Sequence, residues 1–450
     1  MKNSSPVKYI CLTIFAFFVF NISITIAQHE GHSGGNHKMD STAMPPMSHA
    51  FSLGLPMNRN SSGTSWLPDS TPMFGYMLHS KKWMYMIHGN LFLRYNNQDI
   101  TNKGTRGSEE WDAPNWIMAM GQRRVGKKGL FHFNTMFSLD NLITGGSGYP
   151  LLFQTGETWR GEPLVDRQHP HDLFSELSLS YSYSINPKTD LFAYLGYPGE
   201  PSLGSGAFMH RVSSFYNPDA PLSHHWNDAT HITFGVATLG LRYNKFKLEG
   251  SSFTGREPDE NRYNFDKPRF DSYSARISFN PNINWSFQVS EGFVKSPEIS
   301  HSLENIYRTT ASAIYSRPLG LNRFLNATAL WGLNSGHANE NAALLELATV
   351  LRRLALYSRL EWVEKSAEEL DLHEFINGTP IVFSIYAITA GLSYDVVRSK
   401  FLNMAIGAQA SLFSADSRLD IIYGRNPISA EIGFLPYILS KRLSAENKDV

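Results

Sequence analysis

Cysteine is almost missing from this 450-residue chain: the single one, Cys11, falls in an apolar run near the N-terminus. That leaves no disulfide framework and no thiolate metal site to consider. Net charge is missing too, because 40 Lys and Arg balance 40 Asp and Glu. The absence of a basic excess argues against a nucleic-acid partner held by counterion release, and none is expected. Past Ala27 no apolar run approaches the ~20 residues of a membrane-crossing helix. What is abundant is aromatic: 13% of the residues, with 20 Tyr and 29 Phe, against only 18% charged. That profile suits a sheet with aromatic girdles at two membrane interfaces, with an aromatic-rich soluble all-β protein as the alternative.

At the N-terminus, Lys2 and Lys8 precede the apolar Ile10–Phe20, and the small Ala27 precedes Gln28. This is the layout of a secretory signal peptide over 1–27, with a membrane anchor as the alternative reading. Residues 28–50 carry His29, His32, His37 and His49 with Met39, Met44 and Met47 among Gly, Ser and Pro. Such a segment cannot bury a core and is expected to be disordered. Imidazole and thioether without thiol suit copper in either oxidation state, and imidazole alone also suits zinc or nickel. Residues 51–82 are expected to form a connector or plug, because their Pro, Gly and Ser content argues against a helix.

From 83 to 440 the pattern changes to strict alternation. In Leu173–Ile185 every odd position but Ser175 is apolar, while Glu176, Ser178, Ser180, Ser182 and Ser184 occupy even ones. Period two over a dozen residues makes a strand with one apolar and one polar face. The turn Asn186-Pro187-Lys188 returns the chain through Thr189–Tyr197, and the order of tight turn then long polar loop recurs. About sixteen strands can be counted this way, among them one near 230–243. The expected fold is therefore all-β: an antiparallel transmembrane β-barrel with long extracellular loops, short periplasmic turns and a charged tail at 441–450. A secreted chain held in a membrane without helices must close a barrel, since unpaired strand edges cannot sit in hydrocarbon. The expected location is the cell outer membrane with its lipid as partner, the N-terminal segment periplasmic, and oligomerisation open. Asn341–Leu372 is rich in helix formers, so a helix there competes with two strands. By parity His88, Arg94, His132, Glu176, Arg276, Gln288 and Gln409 face the lumen.

With these residues in view, the chain resembles a family of Gram-negative outer-membrane β-barrel proteins whose own function is poorly defined. The resemblance is carried by Ser62–Asp69 (SGTSWLPD), His169-Pro170-His171-Asp172, Ala207–Arg211 (AFMHR), Ser223–Trp226 (SHHW) and Leu248–Asp259 (LEGSSFTGREPD). A looser resemblance, in architecture and composition, is to copper-resistance outer-membrane proteins with a His/Met-rich leader.

The long loops around the central hairpin concentrate histidine: His169, His171 and Asp172 before it, His210, His224, His225 and His231 after it. Several imidazoles with nearby carboxylates can hold a divalent transition metal. The alternative is an ordered plug in which these groups hydrogen-bond one another. The favoured function is porin-like passage or sequestration of a small cargo, with copper or another transition metal the first choice. An outer-membrane enzyme using the histidine loops and a structural or surface-interaction barrel with a plugged lumen are the alternatives. A Ser–His pair such as His210 with Ser213 or Ser214 is conceivable chemically, but no oxyanion donor can be named, so no enzyme is expected.

Overall fold

The computed structural model describes residues 48–299, 303–372, 380–399 and 402–438. The signal-peptide region, the tail after 440 and the leader ligands His29, His32, His37, Met39, Met44 and Met47 lie outside the described residues.

Sixteen antiparallel strands close into a barrel. The central hairpin shows why. Ser178, Ser180 and Ser182 are buried in the interior, whereas Leu179, Tyr181 and Tyr183 stand 53%, 44% and 44% exposed on the outside. Its two arms pair without a break from Ser178 opposite Gly196 to Ser184 opposite Asp190. The exception at Ser175 coincides with a register shift between Phe174 and Glu176, a bulge that turns both Ser175 and Glu176 inward. The outer skin is largely apolar, with Leu191, Leu239, Leu248, Ile277, Val289 and Ile432 all exposed. Near the short turns it becomes aromatic: Trp83 stacks on Tyr85, Phe246 on Phe279 and Trp285 on Phe287. An apolar band edged by aromatic rings is the surface a bilayer solvates.

Asn339–Leu351 and Leu354–Ser366 are strands, paired from Ala342 opposite Val363 to Leu351 opposite Leu354. Helix propensity differs by only a few tenths of a kcal/mol per residue. A missing ladder in a closed wall would leave a dozen backbone groups unpaired at several kcal/mol each. The wall seals in two parts. Ile428–Ile438 pairs with Leu93–Asn97 and touches Asn90, and beyond its end Tyr76–His79 pairs with Met84–Ile87.

The barrel is full. Tyr149–Trp159 and Glu162–Gln168 form a separate hairpin inside it, and the loop after Gly196 follows. From Pro201 to Val236 every residue is buried except His210 and Pro218, which are half-buried. The strand expected from 230 starts only at Val236, because Ala229–His231 is a single 3-10 turn folded inward. All seven wall residues assigned to the lumen by parity face it, six of them buried and His88 half-buried.

Ion pairs bolt the loop to the wall. Arg211 donates to Asp228 at 2.6 Å and to Glu346 at 3.0 Å. Arg94 bridges Asp112 at 2.6 Å, Asp219 at 2.7 Å and Glu431. Residues 48–75 cover the short-turn end: Asn280 donates to the Leu67 carbonyl at 2.9 Å and Gln122 to that of Ser48 at 3.1 Å.

Candidate metal centre

The inner hairpin delivers Gln168 next to the wall, and His169-Pro170-His171-Asp172 links it to the strand starting at Phe174. The proline holds His169 extended, so its ring and that of His171 are presented one after the other. Opposite, Ser223 leads into the one-turn helix His224–Asn227. One turn places His224 and Asp228 side by side, and the His224 Nδ1–H donates to Asp228 Oδ1 at 2.6 Å. His231, one turn further, donates from Nδ1 to the Asp228 carbonyl at 2.9 Å.

The two segments meet and five imidazoles form a closed ring. Successive centroids are 6.0 Å apart from His171 to His169, 5.6 Å to His225, 5.2 Å to His224, 5.0 Å to His231 and 5.4 Å back to His171. Donor nitrogens of His169, His224 and His225 lie within 4.8 Å of one another. A tetrahedral ion with ~2.0–2.1 Å bonds spaces its ligands by about 3.3 Å, so closure needs side-chain shifts of roughly an ångström.

Four of the rings are hydrogen-bonded through Nδ1, and the fifth, His225, faces a carboxylate without a hydrogen bond. His171 Nδ1 donates to Asp140 at 2.6 Å, His169 Nδ1 lies 3.2 Å from Glu157, and His225 Nδ1 is at ion-pair distance, 3.3 Å, from Glu257. In all five the other nitrogen, Nε2, is buried and has no hydrogen-bond partner among the described residues. A carboxylate or carbonyl fixing Nδ1–H, with Nε2 left free, is the second-sphere pattern of metal-binding histidine. Gly156 adds a close fit: its φ is 113°, and a Cβ there would lie 2.3 Å from His225 Nε2.

Burial holds His169 and His231 well below the ordinary imidazole range. His224 is lowered by burial against the opposing pull of Asp228. In His225 burial is overcome by Glu257, which raises it to about 8. Asp228 is kept well below the carboxylate range because Arg211 and His224 outweigh its burial.

Two expected ligands are elsewhere. The Asp172 carboxylate turns to Arg262, 3.4 Å away, where burial raises it to about 6. His210 packs against Trp116 and His88, with centroids at 4.9 and 5.7 Å, because its 3-10 turn faces the wall strands near the short turns. It pairs with neither Ser213, bound to Thr328 and Glu346, nor Ser214, bound to Arg359. The orienting carboxylates Asp140, Glu157 and Glu257 went unread in the sequence. Glu257 alone carried a signal, as part of the GREPD motif.

No protein-family model and no curated protein matches the chain. Among solved structures, OmpF of Salmonella typhi in complex with daunomycin aligns over 80% of this chain and 99% of its own, at 9% identity and TM-score 0.50. An anion-selective porin from Comamonas acidovorans aligns over 79% and 100%, at 9% identity and TM-score 0.47. The resemblance to copper-resistance proteins finds no support in these comparisons. What they establish is architectural: the chain has the fold of a porin-like outer-membrane β-barrel.

Proposed function

We propose that this is an outer-membrane barrel that takes up and holds a transition-metal dication of the copper or zinc class in its lumen, on His169, His224 and His225 with His171 and His231 beside them. One observation carries the reading: among the described residues the five buried Nε2 atoms of one ring of imidazoles have no partner, while four of the Nδ1 atoms are hydrogen-bonded and that of His225 faces Glu257 at 3.3 Å. An unpaired buried nitrogen costs about 1–3 kcal/mol, a cost that a bound dication relieves at each ring it takes as a ligand. A hydrogen-bonded plug, the competing reading, would have turned these atoms towards the acids that surround them. Those acids sit behind the rings instead, where they raise ligand basicity and offset a dication's charge.

The His/Met leader, on this reading, delivers metal from the periplasmic side. The role is binding and passage, with no catalysis required of the histidines. The test is calorimetry of the full chain in detergent with Cu(II) and Zn(II), before and after His169→Asn, His224→Asn and His225→Asn together. Loss of one binding event with the barrel still resistant to unfolding supports the assignment. An unchanged isotherm rejects it.

A further inference from the structure

A second group of soft donors lies apart from the histidine ring. Ten methionines fall among the described residues, and nine of them gather in one apolar cluster; Met404, on the outer face, is the tenth. Wall register builds its floor. Met86 pairs with Met120, and the next row inward-facing sets Met118 between His88 and Met136. The lumen loop supplies the roof, where Met209 and His210 descend from their 3-10 turn. Between floor and roof is a cavity of about 80 Å³.

Apolar packing alone would be served as well by leucine and would not draw two imidazoles into the cluster. His88 Nε2 is buried without a partner among the described residues, and the His88 and His210 ring centroids are 5.7 Å apart. The contrast with the histidine ring is electrostatic. There, carboxylates stand behind the imidazoles. Here the lining holds no acidic residue, and its one guanidinium, Arg211, is already engaged by Asp228 and Glu346. Neutral thioethers and imidazoles without a counter-anion suit a soft ion of low charge, whereas a dication prefers the acid-backed ring. Phe208 divides the two places, its ring 5.5 Å from that of His224.

We propose that this chamber is a separate binding site for a soft monovalent d10 cation, Cu(I) or its analogue Ag(I), with Met86, Met118, Met120, Met209, His88 and His210 as donors. The site stands independently of the histidine ring. Two centres of different softness in one lumen would let the protein hold both oxidation states of a single metal.

The experiment is an Ag(I) titration of the full chain in detergent, followed by methionine methyl NMR. Resonances are assigned by their loss in Met86→Leu, Met118→Leu and Met120→Leu, swaps that nearly conserve volume and leave the barrel folded. The expected result is a saturable shift of those three methyls, and loss of one silver equivalent when all three are leucine, with dication binding at the histidine ring unchanged. Methyls that stay in place at silver saturation, or a triple variant with undiminished stoichiometry, overturn the proposal. Because the ring is read out by Cu(II) and Zn(II) in the same samples, failure of one site leaves the other separately judged.

Discussion

Asp228→Asn separates a brace from a metal-site device. Asp228 accepts from His224 Nδ1 through one oxygen and from Arg211 through the other, each at 2.6 Å, and is 3% exposed. Asparagine keeps the volume and one acceptor but removes the charge. Removing one partner of a buried ion pair costs about 3–5 kcal/mol. Arg211 retains Glu346 at 3.0 Å, so the lower end of that range is expected. For the metal, loss of the carboxylate behind a liganding histidine costs about 10–100-fold in affinity, or roughly 1.4–2.7 kcal/mol.

The control is Asp112→Asn, which strips the equally buried Arg94 of an acid at 2.6 Å and lies outside the histidine ring. Both variants lose stability to denaturant in micelles, and only Asp228→Asn loses Zn(II) affinity in calorimetry. Equal zinc affinity in the two variants would refute the reasoning, leaving Asp228 as a brace for the plug. Acid gives the same sign: a carboxylate whose pKa is lowered on folding contributes stability above its unfolded value near 4, and that contribution is lost as pH falls below it.

Three further outcomes are expected. His225, raised to about 8, holds a proton at neutral pH that a metal must expel. Dication affinity should therefore climb about tenfold per pH unit and level off above pH ~8, with close to one proton released at pH 7 in calorimetry across buffers; zero release contradicts the assignment. Gly156→Ala places a Cβ in the His225 ring and forces a strained φ, so it should cost about 1–3 kcal/mol in denaturant melts and abolish tight metal binding. In planar bilayers the purified barrel should show none of the large steady openings of a hollow porin, since the loop from Pro201 to Val236 occupies the lumen; steady large openings would show that the loop leaves it.

The wall was legible because lipid on one side and a polar lumen on the other impose period two on Leu173–Ile185 and its neighbours. The same rule favoured strands in Asn341–Leu372 despite its helix formers, and strand runs there as far as Ser366. The inner hairpin was missed because Tyr149–Gly156 is buried on both faces, which erases alternation. That His169, His171, His224, His225 and His231 belong together followed from loop position, but the path of the 3-10 turn that sends His210 away is set by Arg211 and its distant acids. The methionine chamber had left a trace: Met84 and Met86, Met118 and Met120, then Met136 all share one parity on adjacent strands. Read as parity, they pointed inward from the start.

The divided seam has a consequence for biogenesis. Tyr76–His79 is stitched to the first staves while Ile428–Ile438 zips only the remainder, and the chain just ahead of Tyr76 is already inside. The edge of the wall and the segment that fills the lumen are thus covalently continuous at Tyr76. Closing the wall and seating that segment are therefore coupled through Tyr76–His79.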